Sequence, residues 1–306
     1  MSKYQHLLLL APAEMRRSPA FERALALAGA TGATLHIVIF LHPSSLESGW
    51  LAPQEAPQEV REAYVQRHRE WLDEQAASAR RQGQQVSSEV AWVEHPLQDI
   101  ILHVREARAD LLIKDVQHES ALHRAFATPL DWQLLRDCPI PLYLVNRAEQ
   151  PLPRKVVATV DPFHAEGQIH AVNEQIIAAA RTLADECSAE LHLLHVFDPS
   201  GIYSVERGLG AMPLSAGLSD GVRQSQEDAF ELLAERHGIG QHQQHFLVGS
   251  AARVIAEFAE REQVDVLVMG TTHRRGLNKL LGSTVEHVLY RVPCGILAIK
   301  RKDSAP

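Results

Sequence analysis

The chain has 306 residues, an ordinary composition (45% hydrophobic, 22% charged, 17 Gly, 16 Pro) and a formal net charge of −8. That excludes collagen-like, low-complexity and largely disordered chains, and about two domains are expected. Each half carries 15 Lys+Arg and 19 Asp+Glu, so there is no basic arm, and nucleic acid as the main partner is not expected.

His6–Leu10 is a short apolar run suited to a buried strand, far below the roughly 20 residues of a membrane span. No apolar segment with a small-residue cleavage site precedes it, so a cytoplasmic protein without a secretion signal is expected. Ser18-Pro19 provides an N-cap and a proline at the first helical position, and this helix is expected to end near Gly29–Gly32. Leu35–Leu41 reads as a strand, Glu59–Gln82 as a long charged helix and Val86–Val93 as a strand. Pro96–Arg108 places Leu97, Ile100, Ile101 and Val104 at helical spacing. Leu111–Lys114, Pro129–Arg136 and Leu142–Val145 complete a strand, a helix and a strand. Proline-bearing residues 147–154 then read as a linker.

The second half repeats the plan. Strands are expected at Val156–Val160, Glu190–Phe197, Gln244–Val248, Val266–Met269 and Ile296–Lys300, and helices at Asn173–Cys187, Ser219–His237, Ala251–Arg261 and Ser283–Arg291. Four blocks align in order between the halves. Leu35-His36-Ile37-Val38 matches Leu191-His192-Leu193-Leu194 at offset 156, and Asp110-Leu111-Leu112-Ile113 matches Asp265-Val266-Leu267-Val268 at offset 155. A period this long is a domain duplication. Strand–helix alternation with apolar strands implies a parallel sheet covered on both faces. The fold class is therefore α/β: two tandem, doubly wound, five-stranded parallel-sheet domains, over residues 1–150 and 151–306. Ligands of such sheets bind at the carboxyl ends of the strands, where strand order reverses.

One segment carries chemistry. Gly270 follows the apolar run Val266–Met269, and Gly282-Ser283-Thr284 precedes an apolar helical run; His273, Arg274, Arg275 and Lys279 put positive charge between them. A glycine lets backbone approach a ligand, and free N–H groups with a hydroxyl suit a phosphate. Ser283 or Thr284 with Glu286 equally suits a capping arrangement. In the first half, Asp115 replaces Gly270, Glu119 replaces Arg274, Ser120 replaces Arg275, Ala127 replaces Gly282 and Ala11 replaces Asp161. Carboxylates there repel an anion, so no nucleotide is expected in that half.

These residues resemble the universal stress protein family. The resemblance rests on Val160-Asp161, Val196, Met269-Gly270, Gly282-Ser283 and Val292-Pro293-Cys294, and it covers both halves. It is strongest for the tandem, bacterial E-type branch, which also has a counterpart of Thr128-Pro129-Leu130-Asp131-Trp132. The resemblance implies strand order 3-2-1-4-5, as in the wider adenine-nucleotide α-hydrolase group. It also implies ATP or another adenine nucleotide, with or without Mg, between strands one and four of the second half. Asp161 would meet adenosine or its metal, Val196 the adenine, and Gly270, Gly282 and Ser283 the phosphates. His273 stands where the family has its second glycine, and eight residues rather than nine separate it from Gly282. The implied role is a regulatory small-ligand module of the stress response, with unknown protein partners, an internal pseudo-dimer and scope for a homodimer.

A Ser-Gly-Gly-x-Asp-Ser loop and a Gly-x-x-x-x-Gly-Lys-Ser/Thr loop are both missing, and no catalytic residue is assigned, although slow ATP hydrolysis stays open. Trp92, Phe126 and Trp132 would line a cavity for a lipid-like ligand or simply form core. His192 and His195, three apart on a strand, point to opposite faces, and His242 and His245 lack an obvious third ligand, so no metal site is assigned. Cys138, Cys187 and Cys294 are too few and too scattered for a disulfide framework.

Overall fold

The structure is a computed structural model describing residues 4–42, 58–117, 129–162, 167–199, 216–271 and 284–300. It comprises two compact units, Met1–Leu152 and Pro153–Pro306.

In the first unit the elements are β1 (His6–Leu10), α1 (Pro19–Thr31), β2 (Thr34–Leu41), α2 (Gln58–Arg81), β3 (Val86–Trp92), α3 (Pro96–Glu106), β4 (Leu111–Asp115), α4 (Leu130–Asp137) and β5 (Leu142–Val145). β1 pairs in parallel with β2 and β4, β2 with β3, and β4 with β5, so the order is 3-2-1-4-5. Such a sheet buries both faces, which is why its central strands are uninterrupted apolar runs. Leu7 to Leu10 and Leu111 to Ile113 are all buried. α1 lies against β1, β2, β4 and β5, and α2 against β2 and β3.

The second unit has β6 (Lys155–Thr159), α5 (Gly167–Cys187), β7 (Glu190–Phe197), α6 (Ala216–Arg236), β8 (Gln244–Val248), α7 (Ala251–Arg261), β9 (Val266–Thr271), α8 (Thr284–Leu289) and β10 (Gly295–Lys300). β6 pairs with β7 and β9, β7 with β8, and β9 with β10, all in parallel, which is the same order again.

Local chemistry explains the boundaries. Ser18 Oγ accepts the Phe21 N–H at 3.2 Å and caps α1, whose far end closes at Gly32 with φ +70°, a left-handed conformation suited to glycine. α5 starts six residues before the expected Asn173. Gly167 gives no cap signal, which is why the sequence alone places the start later; Val172 and Ile176 of this helix lie against the end of β9. β9 runs through Gly270 to Thr271, so Gly270 belongs to the strand rather than following it.

The two units share one anchoring device. Asp110 Oδ2 accepts the Gln5 and His6 N–H groups, both at 2.8 Å, and Asp265 Oδ2 accepts the Arg154 and Lys155 N–H groups at 2.8 and 3.0 Å. In each unit a carboxylate before the fourth strand pins the start of the first strand. Charge-assisted bonds of this kind are roughly twice as strong as neutral ones.

Candidate functional site

In the second unit the strand order reverses between β6 and β9. Their ladder runs from Val156↔Val266 to Ala158↔Val268 and stops. Beyond it, Thr159 Oγ1 donates to the Val268 carbonyl at 3.1 Å. In the first unit the corresponding ladder continues one pair further, to Leu10↔Lys114. The carboxyl ends of β6 and β9 are therefore unzipped one residue earlier, and Asp161 and Gly270 stand beyond that point.

Asp161 is half-buried, and its backbone is held from both sides. The Asn173 carboxamide accepts the Asp161 N–H at 3.1 Å and donates to the Asp161 carbonyl at 2.7 Å. Asn173 is itself buried on α5. Val196 lies near the end of β7, half-buried, in register with Leu247. His195 beside it bridges the Val160 carbonyl (2.9 Å) and Gln226 on α6 (2.9 Å). Thr284 is the exposed first residue of α8. His273, Gly282 and Ser283 lie outside the described residues, as do Glu119, Ser120, Phe126 and Ala127.

Gly270 has a packing reason as well. A Cβ there would meet Val172 Cγ1 and Ile176 Cδ1 at 3.0 Å each, tighter than nearly all real Cβ contacts. At the matching position of the first unit, Asp115 points the same way, toward α1, and its Oδ1 accepts the Ala20 N–H at 3.0 Å. Next to it, buried Lys114 forms a 2.7 Å ion pair with buried Asp131 and donates to the Asp115 carbonyl at 2.8 Å. Asp131 Oδ2 also accepts the Gln117 N–H at 2.9 Å. The Thr-Pro-x-Asp-Trp segment thus supplies the carboxylate that ties down the end of β4. A desolvated, fully partnered pair of this type is costly to disrupt.

The register corrects one equivalence. Ala11 N–H donates to Val38, and Val160 N–H donates to Leu194. Ala11 therefore matches Val160, and Pro12 rather than Ala11 matches Asp161. Neither residue offers a carboxylate.

Histidine chemistry went largely unseen in the sequence. His192 and His195 do face opposite sides: His192 meets His245 (3.0 Å) and Glu190 (3.2 Å), whereas His195 meets α6. The group His36, Glu89 and His103 was missed, because its members sit on β2, β3 and α3 with no local motif. His36 and His103 stack at 5.3 Å between ring centroids. Burial pushes the His36 pKa below 6.5, helped by His103 and opposed by Glu89. Burial, helped by His192, does the same to His245.

Trp92 stacks under the Arg61 guanidinium at 4.5 Å and lines a cleft of about 710 Å³ with Glu62, Gln66, Arg69 and Val90. Trp132 does not line this cleft. All three cysteines are buried and free, and burial pushes the Cys294 thiol up to about 12. Such a thiol is an inert packing group.

A parallel sheet of order 3-2-1-4-5, occurring twice, defines a tandem doubly wound α/β protein. The universal stress protein family profile matches residues 4–146 and 154–300. The chain belongs to the universal stress protein family. It is 27% identical over 302 residues to universal stress protein E of Escherichia coli K12, covering 98% of this chain and 95% of that one. It is 25% identical to the universal stress protein E homolog of Haemophilus influenzae, covering 98% and 99%. Among solved structures, a functionally unknown protein of Pseudomonas aeruginosa PAO1 shares the fold with TM-score 0.72 and 24% identity, covering 98% and 93%. A universal stress protein of Archaeoglobus fulgidus does so with TM-score 0.68 and 17% identity, covering 98% and 97%. No helix among the described residues is long and apolar enough to cross a membrane.

Proposed function

We propose that the second unit binds one adenine nucleotide, ATP or a close relative with or without Mg, and that the chain acts as a regulatory binding module of the cytoplasmic stress response. The observation that carries this reading is the early end of the β6–β9 ladder, with Asp161 and Gly270 beyond it. Asp161 would face the adenosine or its metal, and the Val196 backbone the adenine. Gly270, Gly282, Ser283 and Thr284 would serve the phosphates, with His273 in the connecting loop. In the first unit, Asp115 already occupies an α1 N–H and the Lys114–Asp131 pair holds the strand end, which favours a single nucleotide per chain.

The test is isothermal titration of ATP and ADP into the full chain and into Gly282→Val. The expected result is a stoichiometry of one, lost in the variant. No binding to the unaltered chain overturns the proposal, and a stoichiometry of two overturns the assignment of an empty first unit.

A further inference from the structure

His36, Glu89 and His103 converge on a point. His36 Nε2 lies 3.1 Å from His103 Nε2 and 3.6 Å from Glu89 Oε2, and His103 Nε2 lies 3.4 Å from Glu89 Oε2. Four ligands about 2.0–2.1 Å from a tetrahedral zinc ion stand about 3.3–3.4 Å apart. The three measured edges bracket that value. The geometry points to a binding site for a borderline divalent transition metal, zinc in the first instance, held by His36 Nε2, His103 Nε2 and a Glu89 carboxylate oxygen.

The scaffold suits the task. His36 and Glu89 are on one face of adjacent strands: His36 pairs in register with Ser87, and Glu89 lies two residues further along β3. Their spacing is therefore set by the β2–β3 ladder rather than by a loop. The third ligand comes from α3, which covers that face, and its ring is held edge-on by Phe40 at 5.5 Å and 89°. Ser87 Oγ is 2.8 Å from His36 Nδ1. With that nitrogen donating to the hydroxyl, Nε2 presents its lone pair to the ion, the usual outer-shell device of histidine ligands. Two imidazoles and one carboxylate select zinc-like ions over magnesium or calcium, which take oxygen ligands. The half-exposed Glu89 leaves the fourth position open to water or an exogenous ligand.

The second unit supplies an internal control. His192 is the counterpart of His36, and it too stacks on a histidine and contacts a glutamate. There, however, His245 meets His192 Nδ1 and Glu190 meets Nε2, so the partners sit on opposite edges of the ring. The counterpart of His103 is Phe258, 4.7 Å from the His245 ring. That arrangement is a hydrogen-bond chain and has no common point for an ion. Among the described residues, His36, Glu89 and His103 form the one convergent group of this kind.

Untagged full-length protein, stripped with chelator, is titrated with CoCl₂ and then with ZnCl₂. One Co²⁺ per chain should bind, with the visible absorption of a four-coordinate site, and Zn²⁺ should abolish the signal. His103→Phe, which copies the second unit, and the surface change Glu89→Gln should each weaken binding by about tenfold or more, with an unchanged circular dichroism spectrum. His192→Phe should leave it intact. Binding should weaken as pH falls from 7.5 to 5.5, because the imidazoles must be neutral to ligate. Absence of a four-coordinate spectrum, or an undiminished one in Glu89→Gln and His103→Phe, overturns the site.

Discussion

Single residues show that the duplicated scaffold is not chemically symmetric. Gly270 and Asp115 occupy one strand position and point toward one helix, but the glycine is packed against Val172 and Ile176 while the aspartate binds a backbone N–H. The histidines carry a pH dependence that can be worked out. His36 and His245 are held neutral chiefly by burial, so their folded pKa lies below 6.5. As pH falls through 6.5 the unfolded chain takes up protons that the folded chain refuses. Stability therefore drops over that range and levels off once pH has passed the folded values. Urea midpoints measured at pH 7.5 and 5.5 in chelator should show the loss, and His36→Asn/His245→Asn should flatten it. An unchanged slope in that double variant would contradict the assignment.

Elements owe their limits to a few local bonds. Ser18 is fully buried, and its hydroxyl satisfies the Phe21 N–H at the start of α1. Ser18→Ala should cost about 1 kcal/mol, seen as a lower urea midpoint at unchanged m-value. The central strands were legible in the sequence, because a strand buried on both faces must be an apolar run bounded by turn residues. The cap at Ser18-Pro19 was legible for the same local reason. The first turn of α5 was not, since neither Gly167 nor the residues next to it form an N-cap pattern in the sequence. The carboxylates of Asp110 and Asp265 were aligned with each other, but their partners lie 104–111 residues away and leave no local pattern. Of the candidate nucleotide residues, Asp161 and Gly270 could be placed near strand ends from the apolar runs before them, whereas Val196 was singled out only by the family resemblance. His36, Glu89 and His103 could not be joined, because three separate elements bring them together.

At the scale of the whole molecule, duplication gives two similar sheets with different equipment. The second unit has the unzipped β6–β9 end, while the first has the tied β4 end and the convergent histidines. Hydrogen exchange of the full chain should test the proposed nucleotide and metal sites together. ATP should slow exchange around Val160, Asn173 and Gly270 and leave β1 and β4 unchanged, and Zn²⁺ should slow exchange in β2, β3 and α3 only. Protection by ATP in both units would contradict the division of labour.

The carboxylate brackets also bear on how the chain is made. In each unit the first strand is central, and its fourth-strand partner and bracketing aspartate lie more than 100 residues further along. During synthesis Leu7–Leu10 therefore emerges long before Asp110 and Leu111 exist to cover its second edge. Contacts of such long sequence separation slow folding and prolong exposure of an unpaired apolar strand. The first unit can complete its sheet once β5 has left the ribosome, at about half the chain. The second unit then goes through the same wait from Lys155 to Asp265, so newly made chains have two separate intervals of aggregation risk and chaperone need.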